Sequence, residues 1–272
     1  MKLCDYIQQN ESLNRLNNHL SFCLINEEKA LFSHTISEYL LSGDTLTEND
    51  IQSFLNDILN NLSSSSFPER RKWELLNIFS VWGYSAVDIQ NIDLPGNDIK
   101  KRWLTRFFDY TKRCEETDKQ KLWCIILCQE MRNPGSFFIR TLDLLDKAEM
   151  FEVEWFFEVT KYVIDKAFIP EFVIRGNTFY AFNKFQTLVD FGLINPIHAS
   201  TTYDKTVVLP LSHAEMKIEV STSPFVMNVY ILTDAGSQLY ALKSEVATDV
   251  YLDKLKEHIE RNKAFIVSFT KK

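Results

Sequence analysis

Cys124 and Cys128 are one helical turn apart in "LWCIILCQEM". Two thiolates at that spacing can reach one metal ion. No histidine stands within a few residues and the neighbours are apolar, so the preferred reading is two small core side chains and no metal. A second group lies at the corner "NPGSFFIRT", where one helix stops at Arg132 and another restarts at once. A hydroxyl at a helix N-terminus with a guanidinium one turn on would suit a phosphate or carboxylate. Ser136, Phe137 and Arg140 are therefore candidates for docking or anion binding. In the structural alternative, which is preferred, Pro134-Gly135 form the corner and Ser136 caps the next helix. Phe137, Phe138 and Leu142 then enter the core, and Arg140 bridges to Glu130 or Asp143. In "SHAE" His213 stands near Glu215, an acid–base pair by type, but an exposed hairpin is the simpler account.

The run "KKRWLTR" mixes cations with an indole. Arg102 and Arg106, spaced i,i+4, would face phosphates while Trp103 stacked on a base. Trp103 also lies on the apolar stripe of its helix, so burial of Trp103 and solvation of Lys100, Lys101, Arg102 and Arg106 is favoured. Lys184, in "NKFQTLVDFGLI", is the one cation of a helix that would precede a wing, with Asn183 and Gln186 as further base-edge donors.

Several activities are disfavoured. The seven glycines stand singly, so neither GxGxxG nor a P-loop is present. The five histidines are scattered, without HExxH, and no Gly-x-Ser-x-Gly elbow occurs. No catalytic residue, metal ligand or cofactor is assigned, and no small-molecule ligand is indicated. The net charge of −7 argues against a free nucleic-acid binder. Charge is nevertheless uneven. Residues 1–62 carry three cations against nine acids, residues 97–121 eight against five, and residues 254–272 six against two. Five cysteines without CxxC spacing fit a reducing cytoplasm. No secretory leader opens the chain and no apolar run reaches the ~18 residues a membrane helix needs. Neither secretion nor membrane insertion is expected.

Positioning falls to helices first. Leu13, Leu16, Leu20 and Cys23/Leu24 recur at helical spacing, as do Ala30/Leu31, Ile36 and Tyr39/Leu40. Thr47 reads as an N-cap, "SSSS" at 63–66 as a linker, and Pro68 as a first-turn proline. Asn97 or Asp98 should cap a helix striped by Ile99, Trp103, Phe107, Tyr110 and Cys114. "TDKQ" at 117–120 and Asp146 with Glu149 read as capping boxes. Beyond Pro170 the texture changes. "EFVIRGNTFYAF" reads as a hairpin or extended stretch, and 183–194 as a short helix ended by Gly192. "KTVVLPL", "MKIEVS", "VMNVYIL" and "AFIVSF" read as strands, and "TDAGSQLYALKSEV" and "DVYLDKLKEHIERN" as helices.

Residues 103–157 carry a denser pattern: Trp103, then Gln120 and Trp123, Leu127 and Glu130, then Pro134, Gly135, Ser136, Phe137, Arg140, Thr141 and Leu142. With "LVDFGLI" and "LTDAGSQL" downstream, residues 97–245 resemble an uncharacterised bacterial family of the domain-of-unknown-function type. Phe138 stands where that family's pattern has a second serine, which weakens hydroxyl chemistry at the corner. The resemblance implies a bacterial, cytoplasmic protein and supplies no catalytic residues.

The expected fold is mainly α. Residues 1–62 form an acidic helical region, 67–170 a central helical array, and 171–272 a winged-helix-like α+β module. The expected function is that of a non-enzymatic adaptor or accessory subunit of a multi-protein bacterial assembly, in phage defence or a mobile element, with a protein partner. A nucleic-acid-binding regulator is the alternative, and a hydrolase-type enzyme the second alternative.

Overall fold

A computed structural model describes residues 10–39, 46–94, 98–197, 199–203, 206–211, 214–220, 224–243, 246–262 and 264–271. Asn97, Leu40 and His213 of the sequence readings lie outside these residues. The chain forms two compact units, Met1–Leu142 and Asp143–Lys272. The division falls upstream of the change in sequence texture near residue 170. Among the described residues the chain is mainly helical, with small antiparallel sheets confined to its C-terminal part.

The first unit is entirely helical among the described residues: α1 (Glu11–Ser21), α2 (Asn26–Tyr39), α3 (Glu48–Ser64), α4 (Glu69–Ile89), α5 (Lys101–Thr111) and α6 (Thr117–Arg132), then the start of α7 (Ile139–Lys147). Helix α4 explains the packing. Every residue from Asn77 to Ala86 is buried, and a helix buried all round must be the central one. It packs against α1, α3, α5 and α6. Small residues permit this: a Cβ on Gly83 would stand 2.6 Å from Cγ2 of Ile51 in α3. The hydroxyls of Ser80 and Ser85 donate to Leu76 O and Val81 O, one turn back, so their burial leaves no orphan donor. Phe32, Phe54, Phe79 and Trp82 fill one side of this core. Trp103, Phe107, Tyr110 and Trp123 stack on the other.

Several local expectations hold. Thr47 caps α3 through a capping box with Asp50, and Pro68 immediately precedes α4. Others are corrected. The linker expected at 63–66 is shorter: Ser63 and Ser64 close α3, donating to carbonyls a turn back, and the connection to α4 begins only at Ser65. Thr117 does not cap α6. Gln120 turns inward instead, donating to Cys114 O and Asn77 Oδ1, because those buried acceptors cannot reach water. Helix α5 begins at Lys101, past Asp98.

In the second unit α7 continues into α8 (Met150–Thr160), which opens with a capping box of Glu149 and Glu152, not Asp146 and Glu149. Strand β1 (Phe168–Pro170) leads into the one-turn helix α9 (Glu171–Ile174) and a 3-10 turn at Arg175–Asn177. Gly176 and Asn177 are left-handed there. Residues 171–177 are therefore helical turns, followed by irregular chain to Ala181, and not a hairpin. Helix α10 (Phe182–Asp190) ends at Gly192, φ 82°, as its glycine signals. Strands β2 (Ala199–Tyr203) and β5 (Phe225–Ile231) pair antiparallel, with β1 on the other edge of β5. Strands β3 (Val207–Leu211), β4 (Ala214–Val220) and β6 (Ala264–Lys271) form a second antiparallel sheet. Helices α11 (Asp234–Leu242) and α12 (Asp249–Arg261) lie between β5 and β6 in sequence, capped by Thr233 and Thr248. Tyr251 of α12 is wholly buried and donates its hydroxyl hydrogen bond to Tyr162 O.

The start of α11 presses on the turn after α10. Thr233 Oγ1 donates to Gly192 O and Leu193 O, and a Cβ on Gly236 would collide with Leu193 O. Gly236→Ala is therefore expected to destabilise the protein by about 2 kcal/mol, the usual scale of overpacking. Alanine is the better helix former by about 1 kcal/mol. An unchanged or raised midpoint in urea unfolding would show that Leu193 yields.

Candidate functional site

The corner between α6 and α7 is built around one carboxylate. Glu130, in the last turn of α6, is 2% exposed and folds over the turn that follows it. Gly135 N–H donates to Oε1 at 2.6 Å and Phe137 N–H to Oε2 at 2.9 Å. Gly135, at φ 97°, reverses the chain so that these amides converge. Such a concave set of N–H groups is an anion site, and here the chain supplies its own anion. Burial pushes the Glu130 carboxyl above its usual range. The amides of Gly135, Phe137 and Ser136, and the charge of Lys100, pull it back.

Ser136 does not cap α7, which begins only at Ile139. Its hydroxyl donates to Asn133 O at 2.7 Å and closes the turn. Phe137 is buried, and Trp103 Nε1–H donates to its carbonyl at 2.9 Å, tying α5 to the corner. Trp103 is thus spent inside and offers no stacking face. Phe138, expected in the core, is 45% exposed, and the guanidinium of exposed Arg140 lies 4.8 Å from its ring centroid. Arg140 neither enters the core nor takes over Glu130, whose two oxygens already accept backbone amides.

Beside this corner is a cleft of about 660 Å³. Trp103, Phe137, Phe138 and Ile139 make its apolar lining, and Lys100, Arg102 and Arg140 are its cations. All three cations are exposed. The structure thus brings together residues that sequence reasoning held in two separate groups, the corner and the "KKRWLTR" run. Lys101 is placed over the ring of Phe22, and Arg106 is exposed on α5 one turn beyond Arg102. Lys184 lies in the second unit. Its Nζ is 2.7 Å from Glu158 Oε2 and near the rings of Trp155 and Tyr180, so α10 presents it to α8.

Cys124 and Cys128 are both buried, as the apolar run around them implies. Sequence reasoning missed their neighbour. Asp88, from the end of α4, places Oδ2 3.5 Å from Cys124 Sγ. The sequence marks Glu130 as an ion-pair partner and as part of the motif, but not as the acceptor of the corner's amides. Its real signal, a carboxylate five to seven residues before the amides of a Pro-Gly turn, is legible only in retrospect. Among the described residues, no helix is long and apolar enough to cross a membrane.

No curated protein and no solved structure matches the chain. Residues 75–168, which include the whole corner and its cleft, are similar to the family described as "Protein of unknown function (DUF2806)", in keeping with the resemblance carried by the motif around Pro134-Gly135; "LVDFGLI" and "LTDAGSQL" lie beyond the matched residues.

Proposed function

We propose that this chain is a non-enzymatic docking subunit of a multi-protein bacterial assembly in the cytoplasm, in a defence or mobile-element setting. Its cleft at the α6–α7 corner receives an acidic segment of a partner protein that carries an aromatic or aliphatic side chain. The observation that carries this reading is the cleft's lining: an apolar floor with Lys100, Arg102 and Arg140 around it. An apolar anchor supplies affinity by leaving water, and the cations select and steer an acidic flank. The polar groups beneath the floor are committed to one another. Glu130 accepts corner amides and Ser136 donates to Asn133 O, so they hold the shape of the cleft.

The test is anisotropy of a fluorescent acidic peptide with a central phenylalanine, against the protein and the double variant Arg102→Glu, Arg140→Glu. Reversing both charges is expected to weaken binding by roughly a hundredfold, at about 1.4 kcal/mol each. Equal affinities for the two proteins would remove the cleft as the docking site.

A second reading is single-stranded nucleic-acid binding, favoured by one observation. Lys100, Lys101, Arg102 and Arg106 are all exposed on or beside α5, and the half-exposed Phe138 of the same cleft offers a stacking face. The second unit contributes to this reading as a winged-helix-like module, with α10 followed by the β2–β5 ladder. An oligonucleotide bound more tightly than the peptide, with affinity falling steeply in salt, would favour it over docking.

A further inference from the structure

Asp88, Cys124 and Cys128 have no part in the cleft. They lie where α4 meets α6, and their donor atoms are all within 4.8 Å of one another. We propose that these three residues form a binding site for a thiophilic divalent metal ion, Zn²⁺ first among them, with a fourth position open to a small adjoining cavity.

Geometry comes first. Bond lengths of about 2.3 Å to sulfur and about 2.1 Å to a carboxylate oxygen place two tetrahedral zinc ligands about 3.6 Å apart. Cys124 Sγ and Asp88 Oδ2 are 3.5 Å apart, so that edge of the tetrahedron is already formed. Cys124 and Cys128, one turn apart on α6, project toward the same side, and both are free thiols. The Cys128 thiol donates to Ser85 O at 3.7 Å, a bond it gives up when it loses its proton to bind metal. Chemistry comes second. Cysteines that merely fill a core should meet apolar neighbours. Here Cys124 meets a carboxylate and a second thiol. A dication stabilises both thiolates and the carboxylate at once. Binding exchanges two thiol protons, released to solvent, for one metal ion held by two thiolates and a carboxylate.

Access is the third point. Asp88 is exposed while both thiols are buried, so the ion has an entrance and the sulfurs have a dry shell. The adjoining cavity, about 150 Å³, is lined in part by Glu48, Tyr84, Asp88, Lys121 and Cys124. It has room for a water or an exogenous ligand at the fourth position. Carboxylate and thiolate donors together suit zinc, cobalt or cadmium and disfavour magnesium and calcium, which take oxygen donors alone. Bound metal would pin the C-terminal turn of the central helix to α6.

The experiment is titration of the reduced, full-length protein with Co²⁺, followed by displacement with Zn²⁺. The expected result is one equivalent of Co²⁺ giving intense tetrahedral d–d bands and a thiolate charge-transfer band, both removed by Zn²⁺. Cys124→Ser and Cys128→Ser should each abolish the charge-transfer band of the complete site. Asp88→Asn, at the surface and safe for folding, should weaken binding by at least about tenfold, a scale that even outer-shell partners reach. Absence of both bands at stoichiometric Co²⁺, or unchanged Co²⁺ affinity in Asp88→Asn, would overturn the proposal. Should a serine variant fail to fold, Asp88→Asn decides alone.

Discussion

Glu130→Ala should lower the stability of the protein by about 4 kcal/mol and abolish peptide binding at the cleft together with it. The Glu130 carboxylate is the acceptor for the amides of Gly135 and Phe137. Leaving a buried donor unpaired costs about 1–3 kcal/mol for each group. The loss is not local. Phe137 is held at its carbonyl by Trp103 and at its amide by Glu130, so release of one end loosens the stacked Trp103–Phe107 pair. Glu130→Gln separates charge from shape. Its oxygen can accept one amide, but its NH₂ would face the other, so roughly half the loss is expected.

The same variant tests the electrostatics. The folded carboxyl of Glu130 titrates above the ordinary glutamate value of 4.5. A group raised in this way contributes stability that is fully present below its unfolded value and is lost as pH rises through its folded value. The Glu130 contribution to wild-type stability should therefore decline upward from about pH 4.5, and Glu130→Gln should lack that component of the slope. Parallel urea midpoints for the two proteins between pH 4 and 7 would show that the amides and Lys100 fully offset burial.

Arg71→Met should cost about 3–5 kcal/mol, the penalty for breaking a buried ion pair from one side. Glu28 is 1% exposed, and Arg71 grips it with two bonds, Nε to Oε1 at 2.7 Å and Nη2 to Oε2 at 2.9 Å. Arg71 also reaches Glu74 and Cys23 O, so α4 is held to α2 and to the turn after α1 by one side chain. Without it a carboxylate stays buried with no cation. The double variant Glu28→Gln, Arg71→Met should recover most of the loss, since glutamine keeps an acceptor for Ile25 N–H. Failure to recover would mean that Arg71 acts through Glu74 or packing, and not through the buried charge.

Much of this protein follows from short-range rules. Helical periodicity placed α1 through α6, Thr47 and Thr233 mark helix starts, and Gly192 marks an end. Alternation of β-branched residues marked β3, β4, β5 and β6. These features depend on φ/ψ preferences and on bonds spanning three or four residues, so the order of the residues decides them. Where the chain had two local choices, tertiary contacts chose. Gln120 had Thr117 for a capping box, yet it spans to Asn77 on α4, because a buried acceptor outweighs a solvated cap. The serines at 63–66 had the composition of a linker, yet packing of Leu62 carried α3 on to Ser64, so that only Ser65 and Ser66 begin the connection to α4.

The site belongs to this second class. The residues of the corner were legible as a motif, and Phe137 was correctly placed inside. Which phenylalanine would be left outside, and what Arg140 would face, depended on where α5 lay. Only the packing of α5 beside the corner joins Lys100 and Arg102 to Arg140 and makes a cleft of two unremarkable runs. Asp88 and Cys124 are 36 residues apart and meet only because α6 packs along α4. Local bonding determined the elements. Burial of the middle of α4, Asn77 to Ala86, determined which of their charged and sulfur-bearing side chains would share a space.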